Sequence, residues 1–351
     1  MKKLLDRIFI DGLGGMAQGL FATLIIGTII QQIGLFMGGG TGDLIYELGK
    51  IAAGLTGAGI GVGVARKLEA GHLVIVSAAV VGMIGAFAGK ILSGQVLVDG
   101  NLVLAGPGEP LGAFAAAYLA IEIGILISGK TKLDIILTPL VCIGTGSAVG
   151  LFVGPPISEF MLWLGSLING GTEQQPFLMG IVVSVLMGMI LTLPISSAAL
   201  GVILNLSGLA AGAATIGCCC NMIGFAVASW RENKFSGFLA QGIGTSMLQI
   251  PNIVRRPLIW LPVILSSAVL GPIGTMLLHM TNNATGSGMG TAGLVGPLMT
   301  WQVMTQSEAG VIVLGKIILI QFILPAAVTL LISEFMRKKK WIRQGDMKLE
   351  L

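Results

Sequence analysis

The sequence predicts an all-α integral membrane protein of about ten transmembrane helices with re-entrant hairpins. Three observations carry this prediction. Charged residues make up 10% of the chain and hydrophobic residues 54%, with a mean hydropathy of +0.93. A soluble domain needs about 25% charged residues to clothe its surface. Long apolar segments recur along all 351 residues, and the 54 glycines suit helices that approach closely in lipid. Finally, a polar, glycine-loosened stretch, His279 to Trp301, lies between the last two apolar segments. An irregular backbone survives in hydrocarbon only where protein or a watery cavity shelters it.

The elements follow in order, in two five-span halves, 1–175 and 176–351. Met1 to Asp11, with Lys2, Lys3 and Arg7, reads as a short cytoplasmic amphipathic helix. The first span is Leu13 to Leu35, and the glycines between Met37 and Asp43 make a turn. A second span from Ile45 to Ala65 stops at Arg66 and Lys67, and a third covers Leu73 to Leu92. Two β-prone runs around Asp99-Gly100 predict a short hairpin over residues 96–104. The turn Gly106-Pro107-Gly108-Glu109-Pro110 follows, its prolines fixing where the carboxylate points. The fourth span, Leu111 to Ser128, carries Glu122 at its centre, and the fifth is Leu133 to Val153. Pro155 to Thr172 reads as an amphipathic surface segment leading to the polar turn Glu173-Gln174-Gln175.

The second half begins at Pro176. Its sixth span, from Phe177, is interrupted at Leu193-Pro194-Ile195-Ser196-Ser197. Ala198 to Trp230 is too long for one straight crossing and predicts a broken helix, with Asn205 near the break. The eighth span is Gly237 to Ile253 and the ninth Leu258 to Leu278. After the polar hairpin, the tenth runs from Val311 to Met336 into the basic run Arg337-Lys338-Lys339-Lys340. With both termini cytoplasmic, only Lys50, Lys90, Arg231, Lys234 and Lys316 fall on the outer side. Arg231 and Lys234 are the main exception. Ala52-Ala53-Gly54 with Gly59 matches Ala210-Ala211-Gly212 with Gly217 at one offset, a hint of a 5+5 inverted repeat.

The candidate site residues are polar groups placed in apolar surroundings. Asn282, Asn283, Thr285 and Ser287 offer uncharged donors and acceptors, which suits a polyhydroxyl solute, and His279 stands beside them. Ser196, Ser197 and Asn205 flank the Pro194 break, where an opened helix exposes backbone groups to a ligand. Glu109 can accept hydrogen bonds from solute hydroxyls. Glu122 in mid-span costs about 2.5 kcal/mol or more as a charge, so it faces a cavity or a partner, or is protonated. The spacing of Cys142 and Cys218-Cys219-Cys220 builds neither a metal site nor a disulfide framework. GxxxxGK[ST], HExxH and GxSxG are absent, so neither an enzyme, a cofactor nor a metal is expected, and the net charge of +4 gives no reason to expect nucleic acid.

Phe9-Ile10-Asp11-Gly12-Leu13-Gly14-Gly15-Met16-Ala17, Leu193-Pro194-Ile195-Ser196-Ser197-Ala198 and Asn283-Ala284-Thr285-Gly286 carry a resemblance over essentially the whole chain. The chain resembles the EIIC-like membrane components of the phosphotransferase sugar system, including perfringolysin-regulator-like proteins. The resemblance implies a homodimeric ten-span permease of the bacterial inner membrane, with re-entrant hairpins at its sugar site. This chain includes no soluble phosphoryl-transfer domain, so phosphorylation of the solute would need separate EIIA- and EIIB-type subunits, with transport without phosphorylation as the other route. Sugar-binding members use the glutamate of a Gly-x-x-Glu-Pro turn. Gly106 to Pro110 fits that spacing and puts Glu109 in the role, here in the first half of the chain. Two alternatives stand beside the permease: a ligand-sensing regulatory membrane protein, with the basic tail as its contact, and a proton- or cation-coupled transporter using Glu122.

Overall fold

The computed structural model describes residues 7–349 except 99, 105, 173, 174 and 205. Of the residues singled out above, Lys2, Lys3, Asp99, Glu173, Gln174 and the candidate Asn205 lie outside the described ones. Helix dominates, as the composition requires. The expected hairpin is present, with β1 (Leu97–Val98) antiparallel to β2 (Asn101–Leu102). Gly100 makes its turn at φ +77°. The chain forms two compact units, Met1–Met161 and Leu162–Leu351.

In unit 1, α1 (Arg7–Met37) is followed by α2 (Gly39–Gly54) and α3 (Thr56–Lys67), which meet at a 50° bend. Then come α4 (His72–Leu92), α5 (Pro110–Ile127) and α6 (Asp134–Thr172). Of the expected N-terminal amphipathic helix, residues 7–11 are instead the first part of α1, and Pro155 to Thr172 continues α6. Glycines set the helix spacing. Gly15 lies on Gly63, Gly19 on Gly59, Gly27 on Gly49 and Gly34 on Gly42. A Cβ on Gly15 would stand 2.6 Å from the Gly63 carbonyl oxygen. The falling partner numbers show that α1 runs antiparallel to both α2 and α3.

Unit 2 contains α7 (Pro176–Thr192), α8 (Ser197–Ile203), α9 (Gly208–Ala228), α10 (Trp230–Leu239), α11 (Ile250–Arg255), α12 (Pro257–Leu277), α13 (Ala284–Ser287), α14 (Val295–Met304) and α15 (Gly310–Lys338). Here α7 is parallel to α9, because Ser184 and Gly188 meet Gly217 while Thr192 reaches Asn221. The chain turns at Leu193-Pro194 and α8 brings it back, so α7 and α8 form a hairpin. The second hairpin descends from Met280 beside Gly212, past Gly286 near Thr215 and Gly290 on Cys218, to Thr291 beside Met222. It returns through α14, where Gly296 meets Gly290 and Thr300 reaches Asn282. Both hairpins therefore start and finish at the end of unit 2 where α9 begins. Their tips reach the level of Asn221 and Met222, well inside α9.

Among the described residues, seven helices are long and apolar enough to cross a membrane, or eight with the α2–α3 pair counted as one span. The difference from ten has a physical origin. At 17 residues, α7 is one limb of a hairpin. The eighth expected span, Gly237 to Ile253, follows a kink at Lys234 (φ 52°) and is broken by extended Thr245. Its two ends also lie together, since Asn233 and Asn252 both bind residues 347–349. Arg231 pairs with Glu334 at 3.0 Å, so it lies at the same end of unit 2 as the basic tail rather than opposite it. The repeat hint falls on helices that meet their predecessors in opposite senses, antiparallel for α1 and α3 but parallel for α7 and α9.

Gly217→Ala would drive a Cβ into the Ser184 backbone, and overpacking of this kind costs about 1–3 kcal/mol. Gly144 has open space around its missing Cβ, so Gly144→Ala should gain about 0.5–1 kcal/mol. Thermal unfolding of the detergent-purified protein should show the midpoint fall for the first and hold or rise for the second.

Candidate substrate site

The second hairpin is built around one amide. The Asn282 side chain is buried, and its Nδ2 donates to Thr215 Oγ1 (2.7 Å), Thr300 Oγ1 (3.0 Å) and the Gly296 carbonyl (3.2 Å). Its Oδ1 accepts from Asn283 N, and its own backbone N–H donates to Gly208 O. Both limbs of the hairpin and α9 are thus tied to a single side chain. Gln321 on α15 extends the cluster by donating to Thr300 Oγ1 at 2.9 Å, while its buried Oε1 has no partner among the described residues.

The residues next to Asn282 shape the descending limb. Asn283 Oδ1 accepts from Gly286 N at 3.0 Å and so caps α13, the usual work of an asparagine at a helix start. Ser287 is fully buried and donates to Ala284 O. Gly290 and Gly293 adopt φ near +50°, and Leu294 is left-handed at φ 61°. The first hairpin packs against this limb through Ser197 Oγ, which donates to Gly288 O at 2.6 Å. A Cβ on Gly288 would strike the Ser197 carbonyl, and one on Gly201 would strike Ser287.

Unit 2 therefore brings together Ser196, Ser197, Asn282, Asn283, Thr285 and Ser287. They divide by what their polar atoms already hold. Asn282, Ser287 and Ser197 are buried and bonded within the protein, so they fix the two hairpins to each other and to α9. Asn283 is half-buried, and among the described residues its Nδ2 meets only the Met299 thioether, at 3.6 Å. A thioether is a weak acceptor. Thr285 and His279 are exposed, the latter at φ 48° where α12 gives way to the hairpin.

Unit 1 holds the two acids. Glu109 caps α5, accepting from Leu111 N, while its backbone N–H donates to Ala86 O at 2.8 Å. Gly108 lies against Ala86 at φ +72°, where any side chain would collide, so the turn is pinned to α4. Glu122 is not alone in mid-span. It sits five residues before the end of α5 and pairs with Arg7 at the start of α1, Nε to Oε1 at 2.6 Å and Nη2 to Oε2 at 3.4 Å. Glu109 and Glu122 stand on one helix about 20 Å apart along its axis, so one small solute can touch at most one of them.

Sequence reading missed Gln321 and the buried network of Asn221, Thr192, Ser246 and Trp260. The signal for Gln321 was present, a lone amide in Ile317-Ile318-Leu319-Ile320-Gln321-Phe322-Ile323. Among the described residues no group of His, Cys, Asp and Glu could hold a metal.

The family described as "Phosphotransferase system, EIIC" matches residues 10–349. The chain belongs to the phosphotransferase-system EIIC family. It is thus a multi-pass membrane permease component for sugar, working with the system's other components. No curated protein matches the chain. For an EIIC protein, a neutral polar cluster built on two hairpins is apt, because a sugar presents hydroxyls rather than charge.

Loss of a buried amide that serves several partners costs about 1–3 kcal/mol for each group left unpaired. Asn282→Ala should accordingly lower the thermal midpoint of the purified protein clearly. Thr285→Ala, at an exposed position, should leave the midpoint within error.

Proposed function

We propose that this EIIC protein carries a sugar across the bacterial cell membrane by alternating access, with the solute held against the second hairpin of unit 2. The observation that carries this reading is Asn283. Its side chain is fixed by capping α13, yet among the described residues its half-buried amide N–H groups meet only a thioether. A rigid donor with a weak partner, beside exposed Thr285 and His279, is ready for a sugar hydroxyl. Ser196, at the turn of the first hairpin, completes the proposed lining, and Asn205 remains a candidate from the sequence alone, while Asn282, Ser287 and Ser197 hold the lining in shape.

Of the two candidate acids of unit 1, Glu122 is engaged by Arg7. The same ion pair removes the support for a proton- or cation-coupled transporter using Glu122. The polypeptide crosses the membrane eight times in this reading, five times in unit 1 and through α9, α12 and α15 in unit 2. Both termini are then cytoplasmic, and both hairpins enter from the outer side. Arg66, Lys67, Lys130, Lys132, Arg231, Lys234, Arg255, Arg256 and the tail all fall inside, as the positive-inside rule favours. The protein works as a homodimer, and separate EIIA- and EIIB-type subunits supply the phosphoryl group.

The test is thermal stabilisation of the detergent-purified protein by a panel of sugars, polyols, nucleosides and amino acids. A sugar should raise the midpoint of the wild type and of Glu122→Gln, but not that of Asn283→Ala. Stabilisation by a sugar that survives Asn283→Ala would remove the hairpin from the site. Stabilisation by none of the panel would favour a ligand-sensing regulator.

A further inference from the structure

The segment between α9 and α12 brings its two ends together, and it holds the chain's own tail. Asn233 brackets the tail as a strand would, donating Nδ2 to Met347 O and accepting from Leu349 N, both at 2.8 Å. Gln249 Nε2 also reaches Met347 O at 3.0 Å, and Asn252 Nδ2 reaches Lys348 O at 2.9 Å. These amides bond to main chain, so they read an extended peptide rather than a set of side chains. The specificity lies in one anchor. Met347 is fully buried in a cluster with Phe225, Ile253, Ile259 and Met336. Behind it, Arg337 donates to both carboxylate oxygens of Glu232 and to Ala228 O, and this pair is nearly closed to solvent, at 8% and 3% side-chain exposure.

The same segment touches both hairpin tips. Gln249 donates to Gln241 Oε1 at 2.8 Å, and Gln241 Nε2 donates to Ser229 Oγ at 2.9 Å. One residue further on, the Gly242 carbonyl accepts from Thr291 Oγ1 at the tip of the second hairpin. Ser246 Oγ lies 2.8 Å from Thr192 Oγ1, at the turn of the first hairpin. Gln241, Gln249, Ser246, Thr192 and Thr291 are all fully buried. A stretch of nine residues, 241 to 249, thus holds the tail on one side and both tips on the other, through hydrogen bonds with no water to replace them.

We propose that residues 230–256 form a peptide dock occupied by the chain's own Met347–Leu349 segment, and that occupancy of the dock sets the position of both hairpin tips. The tail is then a cytoplasmic control element for the deep end of the hairpins, whatever solute they carry. Release of the tail strips partners from Gln249 and Asn252, and the buried amide chain must rearrange to recover them. Two sites linked in this way bias one another by about five- to 150-fold in typical allosteric proteins.

The test uses Leu294→Cys as a reporter, since Leu294 is exposed at the second tip while all four native cysteines are buried. The rate of modification by a polar maleimide is measured in the full chain and in a chain ended after Arg343. A synthetic peptide of residues 342–351 is then added in excess to the shortened chain. Lys130→Cys, on an exposed loop of unit 1, serves as the folding control. The expected result is a change of about fivefold or more at Leu294→Cys on shortening. The wild-type peptide should reverse it, a peptide carrying Met347→Asp should not, and Lys130→Cys should react at one rate throughout. Equal rates at Leu294→Cys with and without the tail would overturn the proposal. So would a peptide that fails to restore the rate, or a parallel change at Lys130→Cys, which would mark general loosening.

Discussion

In hydrocarbon no water completes an unpaired amide, so each irregular backbone segment must find its partners in protein. In unit 2 that constraint converges on Asn282. Its side chain joins the descending limb to α9 through Thr215, and to the returning limb through Gly296 and Thr300. The hairpin can be non-helical at depth because this amide closes what the backbone leaves open. Gln321 backs it from α15, and Ser197 locks the first hairpin onto the second. The open polar capacity of Asn283 has meaning only because Asn282 holds the limb beside it still.

Backbone proximity is the second condition, and glycine meets it. Gly212 touches the Met280 carbonyl, Gly288 the Ser197 carbonyl and Gly290 the backbone of Cys218. At each point a methyl group would separate segments whose hydrogen bonds need contact. The composition that marks this chain as a membrane protein therefore also lets its hairpins pack. Cys218, Cys219 and Cys220 fit this picture as small buried packing residues of α9.

Much of this architecture was legible in the sequence where local chemistry fixes local shape. Asp99-Gly100 gave the β-hairpin, Leu193-Pro194 the break after α7, and the polar glycine run the second hairpin. What sequence could not give was direction. Polarity marked Asn282, Asn283, Thr285 and Ser287 alike, yet only contacts with Thr215 and Thr300 separate the residues that build from those that remain open. The partner of Glu122 is 115 positions away, beyond any pattern in the chain. Apolar composition made Gly237 to Ile253 read as a span. The charges at Arg231 and Lys234 were the warning, and their meaning emerged once the tail docked beside them.

The central claim is that residues 279–301 form a buried, protein-locked hairpin with one face left for solute. Hydrogen exchange of the purified protein, followed over this segment by mass spectrometry, tests it most directly. The account predicts slow exchange at Asn282, Gly286, Ser287 and Gly296, whose N–H groups are bonded to Gly208 O, Asn283 Oδ1, Asn283 O and Gly290 O. A stabilising sugar should add protection at residues 283–285. Exchange throughout 279–301 at the rate of an open surface loop, unchanged by that sugar, would contradict it.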